Sequence, residues 1–423
     1  MGSKIADSLN NFWGVAVSPI KTDCDNLKNQ MSSANQKIEA LENGTGGGGG
    51  NTSAYKKMTV KIDLSNSNPA TCCTYADDAE EMTPGSDAWD EFFGHYPVML
   101  LNGVEGQKLN PFNFGLHEDG TPADITSGAE GDVMIAFPRR GLKISTLGNI
   151  ATISMTNNPA DVNFEYLAHK RGNTSKDVFY LGAYKGYEQS SKLRSLSGKA
   201  PTSNKTIGAF RTLARANGAA DGNGGSGYDQ SGFYQLTFRQ AMYLLKYKTL
   251  DSQAAVGRGY VDTGVSYQTY SAVNTGGTNT KGMDYGESGG LTQMKLFGLE
   301  DFWGNIYEWI DGLFCNANYH ILTASENFND TGSGYEDQGQ GATANIGNYM
   351  SKPQGTTKTG FIAKEVSGSA STYFCDYAYL YASTLPCFGG HWSNTSGAGA
   401  FWLNVNASAS GVSPTIAARL MYL

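Results

Sequence analysis

The chain has 423 residues, enough for two or three domains and at least one sizeable core. Only 17% of it is charged and the net charge is −8, while Gly reaches 54 and Tyr 24; this is the balance of a loop-rich, aromatic β protein of the extracellular structural or binding type. No Lys/Arg block occurs, which argues against nucleic acid as a partner, because phosphate binding needs a basic stripe. No run of about 18 apolar residues exists either, so membrane insertion is not expected.

The first residues, Met1-Gly2-Ser3-Lys4-Ile5-Ala6-Asp7-Ser8, lack the apolar core of a secretory signal. The expectation is synthesis in a cytoplasm and release by lysis, as for a virion component. Residues 1–19, with Phe12, Trp13 and Val15, are expected to be an attachment segment. Apolar residues then recur at Ile20, Cys24, Leu27, Met31, Ala34, Ile38 and Leu41, an a/d heptad seam. Pro19 suits the first turn of such a helix and Asn43-Gly44 its stop. Segment 20–43 is therefore predicted to be a coiled-coil oligomerisation helix. Two or three strands are both compatible with its core residues, and a homotrimer is the favoured assembly. The glycines at 46–50, within a linker over 44–54, decouple it from the rest of the chain.

From Tyr55 the pattern becomes β, and 55–130 is expected to form a β-rich shoulder. Residues 57–64 alternate polar and apolar, predicting a half-buried strand. Further strands are predicted at 98–101, 133–137, 142–145 and 151–155, between Gly, Asn and Pro turns. One helix is predicted over 237–250, with Thr237 as its cap and Phe238, Ala241, Met242, Leu245 and Leu250 on one side. The remainder reads as short strands and long polar loops at 217–231, 266–290 and 323–360. Loops of that length are functional or mobile.

Residues 299–312 contain Gly304-Asn305, a turn dipeptide, followed by Ile306-Tyr307-Glu308-Trp309-Ile310. In a strand, Ile306, Glu308 and Ile310 face one way while Tyr307 and Trp309 face the other. A carboxylate among isoleucines needs donors, or it costs several kcal/mol. Glu308 is accordingly read as a structural tie rather than a catalytic acid.

The terminal stretch Phe388-Gly389-Gly390-His391-Trp392-Ser393-Asn394-Thr395, then Ala400-Phe401-Trp402-Leu403-Asn404-Val405-Asn406, closes on Ile416-Ala417-Ala418-Arg419-Leu420. Small polar side chains crowd a frame of Gly-Gly, Trp and an apolar run, the pairing of rigid support and adaptable contacts that binding surfaces use. The alternative is a terminal β-hairpin that holds the fold together and binds nothing.

Catalytic and metal signals are thin. The six cysteines form no C-x-x-C pair, and the five histidines are scattered. Cys375 and Cys387 could pair in an oxidising space, with buried free thiols as the other reading. No Gly-x-Ser-x-Gly elbow occurs, and no glycine pair follows a strand and opens a helix. The acidic loop from Asp330 to Asp337 could hold Ca²⁺ through hard oxygens, although its ligand spacing is irregular. No other cofactor is expected.

The ending resembles the variable region of proteins diversified by a diversity-generating retroelement, whose host fold is a C-type lectin. Such regions carry a Gly-Gly-x-Trp turn, a polar Asn/Ser ladder and an Ile-Gly-x-Arg-Leu strand, here with Ala417 in place of the Gly. Residues 304–309 are similar to the Gly-Asn-x-x-Glu-Trp signature shared by formylglycine-generating enzymes and lectin-like proteins on the same scaffold. Residues 177–186, 207–211 and 257–261 look like segments of phage tail-tip proteins with this fold. The resemblance implies an α+β chain, with a C-type-lectin-like (formylglycine-generating-enzyme-like) domain over 131–423 after the β-rich region and coiled coil.

It implies further a receptor-binding protein of a phage tail, joined to other tail proteins through its N-terminus and gripping a host surface protein or glycan. Transferred by motif position, the variable contacts within about 388–420 are His391, Ser393, Asn394 and Trp402, then Asn404, Asn406, Ala407, Gly411, Ser413 and Thr415. Trp402 would be the aromatic anchor. Trp392, Ile416, Arg419 and Leu420, with Asn305 and Trp309, would be frame. An enzyme is not expected, because the formylglycine-generating family places a thiol just after the Gly-Gly-x-Trp turn, and here no cysteine follows Cys387. The rival readings are a static tail or baseplate protein, a lectin-scaffold oxidase and a bacterial surface protein.

Overall fold

The computed structural model describes residues 55–218 and 227–423. The expected attachment segment, coiled-coil helix and glycine linker lie outside the described residues. β1 (Lys57–Asp63) follows the predicted alternation, with Met58, Val60 and Ile62 buried, and β2 (Cys73–Asp77) pairs along it. A short helix α1 (Ala88–Phe93) buries Trp89, Phe92 and Phe93 and stops at Gly94, whose left-handed φ of 69° ends the turn. Then come β3 (Tyr96–Leu101), β4 (Val104–Asn110), β5 (Asn113–His117), β6 (Asp132–Pro138), β7 (Gly141–Leu147) and β8 (Ile150–Thr156). The strands β2-β1-β8-β7 form one antiparallel sheet, in which Met58 faces Met155 and Val60 faces Ile153.

The second half supplies β9 (Val178–Gly182), α2 (Ile207–Arg215), β10 (Tyr228–Gln230) and α3 (Phe233–Tyr247). It continues with β11 (Tyr307–Trp309), β12 (Ile346–Tyr349), β13 (Tyr377–Leu380), β14 (Leu385–Phe388), β15 (Leu403–Ala407), β16 (Ile416–Ala417) and β17 (Leu420–Tyr422). A seven-stranded sheet runs β10-β17-β9-β6-β3-β4-β5, so the last strand of the chain sits between two earlier ones. A six-stranded mixed sheet runs β12-β13-β15-β14-β11-β16. The result is a β-dominated α+β architecture.

Three expectations change. The boundary at 130/131 separates nothing structural: β3 pairs with β6 in one sheet, and Trp89 and Phe114 share a core cluster with Phe238 and Leu403. The expected shoulder is thus part of the same packing unit. The long helix begins a turn earlier than predicted, with Gly232 at its N-cap, and Thr237 lies buried in its interior. Its whole length from Phe233 to Lys246 is buried rather than one side of it. Polar positions that read as a solvent face find partners instead: Gln235 donates to the Ala168 carbonyl and Gln240 to that of Ala400. Finally, α2 is a helix in a stretch where the sequence predicted none. Thr206 caps it by accepting from the Ala209 N–H at 3.2 Å. Among the described residues no helix is long and apolar enough to cross a membrane.

Candidate binding face

Beneath the terminal motifs lies a buried charge cluster. Glu308, on the strand β11, accepts from Arg239 of α3, from Arg419 Nε at 2.7 Å and from Lys185 Nζ at 3.1 Å, and all four side chains are fully buried. Arg419 also donates to the carbonyls of Gly182 and Glu300, both at 2.8 Å. Burial alone would raise the Glu308 carboxyl, but the charges of Arg239, Lys185 and Arg419 hold it well below the usual carboxylate range. Lys185 is pushed down to about 8 by burial, against the pull of Glu308. The expected tie is therefore made, and it clamps α3, β11 and the segment before β17 together.

The turn above this cluster is shaped by Gly389 and Gly390, whose φ values of 99° and 81° suit no L side chain well. Gly304 donates to the Gly389 carbonyl at 2.8 Å, and Trp392 N–H to that of Asn305 at 3.1 Å. Asn305, itself at φ 60°, donates to Asp301 Oδ2 and accepts from the Val273 N–H. The two sequence motifs thus meet as one unit. Of the residues expected as frame, Trp392, Asn305, Trp309, Arg419 and Leu420 are buried and Ile416 is half-buried.

The six-stranded sheet has two unlike faces. Ala378, Leu380, Leu403, Val405 and Phe388 point into the main core. Their neighbours Tyr377, Tyr379, Trp402, Cys387, Tyr307 and Trp309 take the other side. At the β11 end this second face is covered, with Trp309 Nε1 donating to the Lys205 carbonyl. Towards β13 and β12 it opens into half-buried tyrosines.

The expected contact residues divide in two. Ser393, Asn394, Asn406, Ala407, Gly411 and Ser413 are half-buried and accessible. His391, Trp402, Asn404 and Thr415 are buried, which corrects the reading of all four as free contacts. Trp402, expected as the anchor, is 5% exposed. Its ring packs on Tyr377 and Tyr307, and its Nε1 donates to Asn404 Oδ1 at 2.6 Å. Asn404 donates in turn to the Tyr307 hydroxyl at 3.2 Å. A polar alternation hid this, because an Asn two residues from a Trp reads as exposed until its partners are known. His391 packs edge-on against Tyr307, its Nδ1 accepts from the Ser393 N–H, and burial lowers its ring to about 4, so it is neutral near pH 7. Thr415 bonds Ser413 Oγ at 2.7 Å.

The residues missed in the sequence are tyrosines. Tyr377, Tyr379 and Tyr381 alternate along β13 and just beyond it, and Tyr349 of β12 lies 4.3 Å from Tyr377 between ring centroids. The signal was the period-two pattern Tyr-Ala-Tyr-Leu-Tyr.

The acidic loop offers no converging cage. Asp330 pairs with Arg211, Glu336 with Lys358 and Asp337 with His320, so each carboxylate already has a cationic or imidazole partner. Among the described residues no group of three or more His, Cys, Asp or Glu is placed to hold a metal ion. Cys375 and Cys387 are free and buried, and burial pushes the Cys387 thiol up to about 12, away from the thiolate a nucleophile needs.

No protein-family model and no curated protein matches the chain. Among solved structures, PvdO from Pseudomonas aeruginosa is similar over 69% of this chain and 94% of its own, at 11% identity and a TM-score of 0.26. A likeness that slight transfers neither fold nor activity.

Proposed function

We propose that this chain is a receptor-binding protein of a phage tail, built on a C-type-lectin-like scaffold, that attaches its particle to a host cell and turns over no substrate. The observation that carries the reading is the contrast between frame and face. A fully buried set of one carboxylate and three cations locks the far end of the terminal segment through Arg419, while uncharged Ser, Asn, Ala and Gly side chains line its accessible positions. Such a frame tolerates change at its surface, because the energy that sets its geometry lies elsewhere. In this proposal retroelement-directed substitution is confined to Ser393, Asn394, Asn406, Ala407, Gly411 and Ser413. One observation favours a static tail protein instead: His391, Trp402, Asn404 and Thr415 are buried, and changing them disturbs packing.

Deep sequencing of codons 388–420 in a population of the parent genome separates the two. Substitutions at the accessible positions, with Trp392 and Arg419 silent, are expected. A uniform terminus would remove diversification and leave a fixed-specificity binder or a structural protein. Competition of purified full-length chain with the particle for host cells decides between those.

A further inference from the structure

We infer that the open part of the six-stranded sheet binds a neutral saccharide chain, stacked along the tyrosines of β13 and β12. The inference rests on the receptor-binding reading of this face and names its ligand class. Tyr377, Tyr379 and Tyr381 project from one side of the sheet, with successive ring centroids 6.0 and 5.9 Å apart. That repeat is comparable with the length of one hexose unit; the Tyr377 and Tyr379 planes differ by 24°, so these two rings can meet consecutive sugars, while Tyr381, turned by 76° from Tyr379, bounds the end of the row. Each ring is half-buried, which fixes it from behind while leaving part of it open. Tyr377 is backed by Trp402 at 5.5 Å, and the Tyr379 ring lies over Gly347, where there is no room for a Cβ. The rings are therefore held before any ligand arrives, and little rotamer entropy is lost on binding.

Hydrogen-bonding groups without charge surround them. Tyr349 Oη shares a bond with Ser396 Oγ at 3.2 Å, and half-buried Asn406 lies on the same side of the sheet, in the row of Asn404 and Tyr379. From Tyr377 to Ala418 the chain contains no Asp, Glu, Lys or Arg. Asp376, just before, is buried and accepts from the Phe401 N–H on the core side. A sulfated, sialylated or phosphorylated ligand would lose water here and gain no counter-charge. A protein surface, about a quarter charged, is a poor match for the same reason. A neutral sugar presents C–H groups to the electron-rich ring faces and hydroxyls to Asn, Ser and Tyr, which is the chemistry on offer.

The test applies the full-length chain to an array of neutral, sialylated and sulfated oligosaccharides, and to host cells pre-treated with periodate or with protease. Neutral glycans are expected to bind, with no loss from low to high salt, and periodate to abolish cell attachment. Tyr379→Ala is expected to weaken binding by at least about tenfold, as loss of an aromatic anchor does, whereas Tyr379→Phe keeps it. Tyr381→Ala, at the end of the row, serves if Tyr379→Ala fails to fold. Preference for charged glycans, or equal loss in the Ala and Phe variants, overturns the inference. Attachment that survives periodate but not protease overturns it too, and leaves a protein-receptor binder standing. No attachment to any untreated cell overturns the receptor-binding reading itself.

Discussion

Glu308 shows what a single residue can and cannot reveal in advance. Its position between Ile306 and Ile310 already demands donors, because a bare carboxylate has no place in that row. The donors themselves come from Lys185, Arg239 and Arg419, far away along the chain, and no local pattern points to them. The arrangement makes a sharp expectation. Glu308→Gln takes from three buried cations the one carboxylate that all of them bond, and should lower unfolding stability by about 3–5 kcal/mol in urea denaturation. A variant as stable as the parent would mean that the cations have another partner. Trp402 teaches the opposite lesson. Its aromatic size suggested an exposed anchor, yet its one polar atom is satisfied internally by Asn404, so it stiffens the face and the neighbouring tyrosines present themselves.

At the scale of elements, local rules locate short apolar strands, both the partly wet β1 and the almost wholly buried β6. β1 has its apolar row where alternation puts it, and β3, β6, β7 and β8 lie on their predicted segments. They fail for α3, whose polar residues imply a solvent face that tertiary partners remove. They fail also for α2, where Gly208 and Thr212 weaken the helical signal and the Thr206 cap outweighs them. The final strand carries a further consequence. β17 lies between β9 and β10, pairing Leu181 with Met421 on one side and Asp229 with Met421 on the other. Deleting residues 420–423 would split the seven-stranded sheet and leave two strand edges unpaired. Such a truncation is expected to accumulate as insoluble or protease-sensitive protein. Soluble truncated chain with native circular dichroism would show that the sheet closes without its last strand.

For the whole molecule, the proposed function depends on several weak faces acting together. The heptad seam over 20–43 is the sequence feature that would join copies, and the gain from joining is on the order of 10²–10⁴-fold in apparent affinity. Removal of 20–43 should therefore reduce adsorption to cells far more than it reduces single-site affinity in a biosensor. Equal losses in the two measurements would sink the avidity account and place the segment in folding instead.

Taken alone, the sequence determined that the chain is β-rich, that Glu308 sits where it needs partners, that Gly304-Asn305 and Gly389-Gly390 are turns, and that the last residues combine a frame with small polar contacts. These are short-range properties, set by backbone sterics and by side-chain period, and they survive whatever the rest of the chain does. Only the tertiary structure decided which donors reach Glu308, which carboxylates of the acidic loop are already paired, and which of the ten expected contacts are open. It also set the tyrosines of β13 and β12 side by side. Burial and pairing depend on contacts between residues distant in the chain, and no local pattern contains that information.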